Sequence, residues 1–242
     1  MATEIVIENL SKNFGSVQAL DGVSLHLETG MFGLLGKNGA GKTTLMRIIA
    51  TLLNKSGGEV KVCEYDISET KNIRKIIGYL PQEFSMYPNM RVDEALQYLG
   101  LLSGMKNEGI SRQVNRLLKQ VNLLNVRKMK VKALSGGMKR RLGIAQAIIH
   151  NPRVLIVDEP TAGLDPEERV RFRNLLSEIA EDRIVILSTH IVEDIEKTCK
   201  KLAVLDKGKI VYCGELTEFV EDTDGLEDAF MKKIGGLENA VY

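Results

Sequence analysis

The nine residues GKNGAGKTT, Gly36 to Thr44, constrain this chain more than any other stretch. They follow the short apolar run MFGLLG, which reads as a strand, and they open TLMRIIATLL, where Leu45, Ile48, Ile49 and Leu52 recur at helical spacing. The stretch matches G-x-x-x-x-G-K-[ST] in the strand-loop-helix context that pattern needs. Phosphate chemistry explains each residue type. Glycines let successive N–H groups point inward, and the helix N-terminus adds a favourable dipole. Lys42 reaches β- and γ-oxygens, and Thr43 can hold Mg²⁺. Gly36, Asn38, Gly39, Gly41, Lys42, Thr43 and Thr44 are therefore the candidate nucleotide contacts. The alternative, a glycine-rich turn before an ordinary helix, is set aside by the full match in context.

The surrounding pattern is α/β. VLIVDEP and RIVILSTH are almost uniformly apolar, as parallel strands buried on both faces must be. KIIGYLP reads as a further strand. EIVIENL and SLHLETG alternate at period two on either side of the turn-rich SKNFGSV, which predicts a small N-terminal antiparallel layer. RVDEALQYLGLLSG and ISRQVNRLLKQVNLL carry apolar residues at helical spacing, so a helical subdomain is expected inside the α/β core. The predicted organisation is one domain over 1–242. Its core spans 1–88 and 146–214, its helical subdomain 89–145, and its tail, charged and uninformative, 215–242. DKGK, within LAVLDKGKIVYCG, reads as a hairpin turn.

VLIVDEP ends in Asp158 and Glu159 at the strand edge where ligands collect in open α/β sheets. Asp158 is expected to hold Mg²⁺, and Glu159 to orient or deprotonate the water that attacks the γ-phosphate; the alternative is a plain cap for the next helix. Gln82, in YLPQE, and His190, in STH, follow strands and emerge on the same rim, although either alone is more often a structural hydrogen-bonder. His26 and His150 keep that structural reading. LSGGMKRR sets Ser135, Gly136 and Gly137 before a basic helix: an anion nest, or an ordinary N-cap.

Lys+Arg 33 against Asp+Glu 32 gives a net charge of +1, which excludes a polyanion as the main partner through bulk electrostatics. Nucleic acid is not an expected partner. Cys63, Cys199 and Cys213 lie in no metal-like spacing and read as reduced thiols. MATEIVIENL lacks a signal-peptide core, and no uncharged apolar run reaches roughly 18 residues. The expectation is a cytosolic chain that does not itself cross a membrane.

Taken in order, GKNGAGKTT, the Gln of YLPQE, LSGGM, VLIVDEP, AGLD and STH resemble the ATP-binding subunits of ABC transporters, over about Glu4 to Glu215. The resemblance implies a P-loop NTPase core, and ATP and Mg²⁺ as ligands. It also implies that Phe14 stacks on adenine, that Gln82 touches Mg²⁺ or the attacking water and relays nucleotide state, and that Glu159 is the general base. His190 would hold the γ-phosphate. Asp165 would lie at the contact between two subunits, most simply a homodimer. Ser135, Gly136 and Gly137 would close over ATP held by that second subunit. Met138 stands where the most familiar signature has Gln, and LSGGMKRR looks like the variant of drug-exporter and other efflux subunits. Separate permease subunits would hold the chain at the inner face of the cell membrane, docking around Gln82–Pro88 through Phe84, Met86 and Tyr87; the alternative is that these three pack the subdomain junction. Two other classes remain open: a soluble ABC-type ATPase acting on ribosomes or DNA, and an ATP-binding regulator without turnover. The first generally carries two cassettes or long coiled-coil insertions, neither of which is visible. Against the second stand Lys42, Asp158, Glu159 and His190.

Overall fold

The computed structural model describes residues 3–239. The chain starts with a long hairpin, β1 (Glu4–Phe14) and β2 (Val17–Glu28). Then come β3 (Gly30–Leu35), α1 (Lys42–Ile49), β4 (Gly57–Val62), β5 (Tyr65–Asp66), α2 (Thr70–Ile76) and β6 (Ile77–Leu80). Three helices follow: α3 (Val92–Leu102), α4 (Asn107–Gln120) and α5 (Gly136–Ala147). The chain re-enters the sheet with β7 (Val154–Asp158), α6 (Pro166–Ile179), β8 (Ile184–Thr189) and α7 (Val192–Thr198). It continues through β9 (Lys201–Asp206), β10 (Lys209–Glu215), α8 (Leu216–Val220) and α9 (Leu226–Asn239).

Two sheets result. One is antiparallel with order β2-β1-β4-β5; the other has order β10-β9-β3-β8-β7-β6, parallel throughout except for β10. The central parallel strands β7 and β8 are apolar over their first four positions because each face meets a different core. Val154 and Ile156 of β7 join a cluster with α1 and the antiparallel sheet, through Leu45, Met46, Ile5 and Leu27. Leu155 and Val157 join a second cluster with the helices, through Leu96, Leu118, Leu142 and Phe172. The glycine loop, Gln82, Glu159 and His190 all follow parallel strands, so the sheet delivers them to one rim.

Three local expectations change. SKNFGSV is mostly strand: β1 runs through Phe14, and only Gly15 and Ser16 make the turn. Register shifts between Ile7 and Leu10 and between Leu10 and Lys12 break the alternation that would have revealed it. KIIGYLP is divided, with Lys75 and Ile76 ending α2 and the strand starting at Ile77. The tail is not structurally mute: Leu226, Phe230 and Ile234, one helical turn apart, bury into the helical-side core. The DKGK turn is as read, with Lys207 and Gly208 both at positive φ, 44° and 81°.

Candidate functional site

The glycine loop is held open by backbone geometry. Gly41, at φ 109°, closes the loop immediately before α1, and a Cβ there would stand 2.6 Å from the Ala19 carbonyl oxygen. Only glycine fits. Asn38, Gly39, Gly41, Lys42, Thr43 and Thr44 line a cleft of about 290 Å³ together with Ala19, Gln82 and Glu159. Gly36 sits deeper, its carbonyl taking a 2.6 Å hydrogen bond from Lys42 Nζ, which also donates to Lys37 O at 3.2 Å.

Lys42, 5% exposed, meets a carboxylate as well: Glu159 Oε1 lies 3.6 Å from Nζ. The other oxygen, Glu159 Oε2, accepts from Gln82 Nε2 at 3.2 Å and faces His190 Nδ1 at 3.2 Å. Three residues read separately in the sequence thus converge on Glu159, itself 7% exposed. Burial pulls the Lys42 ammonium pKa down, and the Glu159 charge works against that pull.

Asp158 is fully buried, and burial pushes its carboxyl pKa up; the hydroxyls of Thr43 and Ser188 oppose the shift, as does Lys42. Ser188 Oγ donates to Oδ1 at 3.1 Å, whereas Oδ2 is buried with no hydrogen-bond partner. An orphaned carboxylate oxygen beside a threonine at the base of a phosphate loop suits a hard divalent cation. No cluster of three or more His, Cys, Asp or Glu among the described residues could hold a metal unaided.

The remaining candidates lie apart from this cleft. Phe14, at the hairpin end, is 49% exposed with Lys12 Nζ 4.9 Å from its ring centroid. It is not packed on the core. Ser135 caps α5, its Oγ accepting from Met138 N at 3.2 Å. Gly136 is open to solvent, and Gly137 lies against Glu168, in the first turn of α6. Asp165 caps α6, accepting from Glu168 N at 2.9 Å, with Pro166 as the first helical residue. The two helix N-termini are therefore neighbours, tied by Arg141 Nε to Glu168 Oε2 at 3.3 Å. His26 and His150 do structural work, the first with Glu4 at 2.8 Å and the second with Ile77 O at 3.0 Å.

Sequence reading missed four residues around the site. Ser188 supports Asp158, and its signal was the hydroxyl beside His190 in STH. Thr161, two residues past Glu159, donates a hydrogen bond to the fully buried Asp194 of α7, which Arg173 also meets at 3.4 Å. Nothing local in the sequence signals that pairing.

The ABC transporter family profile matches residues 20–162. The chain belongs to that family. It is 38% identical over 213 residues, 88% of its length and 71% of the relative's, to an uncharacterized ABC transporter ATP-binding protein of Bacillus subtilis. The linearmycin resistance ATP-binding protein LnrL of Bacillus subtilis is 34% identical, over 95% of this chain and 78% of its own. The Nod factor export ATP-binding protein I of Burkholderia lata is also 34% identical, over 92% and 74%. Among solved structures, an ATP-binding subunit of an ABC transporter superposes with a TM-score of 0.85 at 24% identity, over 96% of this chain and all of that one. A dimeric ATP-binding cassette in a post-hydrolysis state with ADP and Pi gives 0.78 at 24% identity, over 87% and 98%. These two likenesses establish the fold.

Proposed function

We propose that this chain is the ATPase subunit of an ABC exporter, hydrolysing MgATP as a homodimer docked on separate permease subunits at the cytoplasmic face of the membrane. The observation that carries the reading is Glu159 held between Lys42, Gln82 and His190 at the mouth of the phosphate loop. Lys42 and the loop N–H groups bind and orient the phosphates. Asp158 Oδ2 and the Thr43 hydroxyl would hold Mg²⁺, which when bound neutralises phosphate charge. Glu159 takes the proton of the attacking water, Gln82 orients that water, and His190 holds the γ-phosphate. Phe14 offers an exposed ring for the adenine.

Ser135, Gly136 and Gly137 are not among the residues that line their own chain's cleft, which supports a second subunit as the owner of the phosphate they meet, with Asp165 at the same contact. No helix among the described residues is long and apolar enough to cross a membrane, and the reading assigns the membrane spans to separate permease subunits. A groove of about 380 Å³ lined by Met86, Tyr87, Pro88 and Leu99 suits its docking. Export is favoured by the names of the Nod factor and linearmycin relatives, and by Met138 in the signature.

Mixing Ser135→Arg subunits with Glu159→Gln subunits tests the shared site. ATP-dependent dimers of the mixed pair should be weaker than Glu159→Gln homodimers by analytical ultracentrifugation. Mixed dimers as strong as the homodimers would overturn the shared site.

A further inference from the structure

Helix α5 begins at the Ser135–Gly137 segment and passes beneath the loop that carries Gln82. Arg140 Nη1 donates to the Gln82 carbonyl at 2.6 Å and reaches the Pro81 carbonyl at 3.5 Å. One turn further along, Gly143 lies under the same loop: a Cβ there would stand 2.6 Å from Leu80 Cδ1 and 3.2 Å from Phe84 Cδ1. The helix and the loop are thus in contact at two successive turns, one polar and one steric.

The polar contact is an unusual use of an arginine. Arg140 is half-buried, and no carboxylate among the described residues pairs with it; its acceptors are backbone carbonyls. Burial pulls its pKa down with no neighbouring charge to oppose it. A desolvated cation without a counter-ion costs stability, so its partners matter. Arg141 next to it is placed differently, paired with Glu168 and donating to Val121 O at 3.1 Å. Of the two, only Arg140 faces the nucleotide rim.

The side chain of Gln82 donates through Nε2 to Glu159 Oε2 at 3.2 Å. A continuous set of contacts therefore runs from the start of α5, through Arg140 and the Gln82 backbone, to the carboxylate in the cleft. We infer that Arg140 is a positioning residue, which fixes the Gln82 amide beside Glu159 according to the position of the Ser135–Gly137 segment. The inference rests on the proposed ATPase function for its kinetic consequence and on geometry alone for the anchor. It predicts that loss of Arg140 slows turnover while sparing nucleotide binding, since Lys42 and the glycine loop are untouched.

Two readouts on the full chain test it. The first is steady-state ATPase activity in a double-mutant cycle. Arg140→Met should lower kcat about tenfold with KM within about twofold, and Arg140→Lys, which keeps a charged donor, should recover most of it. In a Gln82→Ala background, Arg140→Met should change kcat by less than about twofold. Fold-losses that multiply in the double variant would overturn the role through Gln82, as would a loss that Lys cannot rescue. The second readout is hydrogen exchange of nucleotide-free protein over residues 80–85, expected to rise about tenfold in Arg140→Met while the β7 and β8 amides stay protected. Unchanged exchange there would overturn the anchor whatever the kinetics. A wild-type chain without ATPase activity would count against the proposed function, and the exchange result would still decide the anchor.

Discussion

Replacing Glu159 by Gln in the nucleotide-free chain tests whether its carboxylate supplies the negative charge that, in the proposed site, Lys42 takes from a γ-phosphate. The ion pair spans 3.6 Å, with the two side chains 5% and 8% exposed. Its gross Coulomb energy is about 4–5 kcal/mol at an effective dielectric near 20. Much of that is offset in the variant, because Lys42 keeps the Gly36 and Lys37 carbonyls at 2.6 and 3.2 Å. Relief of Asp158, whose carboxyl Glu159 helps push up, offsets a little more. The net loss is about 2 kcal/mol, the scale of one hydrogen-bonded charge. For a chain of this size that lowers the melting midpoint by about 4–8 °C. A non-hydrolysable ATP analogue with Mg²⁺ should then raise the midpoint further in the variant than in wild type. In wild type the γ-phosphate must first displace Glu159 from Lys42. ADP, lacking that phosphate, should restore less. Scanning fluorimetry of both proteins, with and without each nucleotide, reads all these shifts. An unchanged or raised midpoint without nucleotide, or equal analogue shifts in the two proteins, would refute the reasoning.

Lys42→Ala should weaken ATP binding by about 3 kcal/mol, roughly 100-fold, in equilibrium titration; unchanged affinity would remove it from the phosphate site. Gly41→Ala, at φ 109° and facing the Ala19 carbonyl at 2.6 Å, should cost about 2 kcal/mol in denaturant unfolding. Gly136→Ala, with nothing within 4 Å of its Cβ, should leave stability within about 0.5 kcal/mol while still reducing ATP turnover. Asp158 has a folded pKa above its 3.8 reference because burial disfavours the charged form, so its ionisation subtracts stability above that raised pKa. Asp158→Asn should accordingly stabilise the nucleotide-free chain at neutral pH. The difference should close as acid protonates the wild type between its raised pKa and 3.8; a constant difference across that window would contradict the burial argument.

Legibility in the sequence followed the range of the interaction. A tight glycine loop between a strand and a helix needs fixed residue types, so the strand-loop-helix around Gly36 to Thr44 was readable from spacing alone. Parallel strands with two buried faces leave an apolar run, so β7 and β8 were readable too. Arg140 was not, because its acceptors lie 58 and 59 residues away and no local pattern records them. Thr161 and Asp194, 33 residues apart, are hidden for the same reason. The α9 helix was legible in principle from Leu226, Phe230 and Ile234, but charged residues between them masked the spacing.

The two carboxylates of β7 show where a strand pattern stops being sufficient. Side chains alternate along a strand, so Asp158 shares the face of Val154 and Ile156, toward α1, and there it meets the influence of Thr43. By the same rule Glu159 would follow Leu155 and Val157 into the helical-side core, where an unpaired carboxylate would be costly. Its backbone instead adopts φ 46°, while its N–H still continues the ladder to Ser188 O at 2.9 Å. A left-handed residue one step past a strand end re-aims the side chain without breaking the sheet. That turn is what brings Glu159 within reach of Lys42, Gln82 and His190. Alternation therefore accounts for the placement of Asp158, whereas the placement of Glu159 depends on a strained conformation that the sheet and its three polar partners together hold in place.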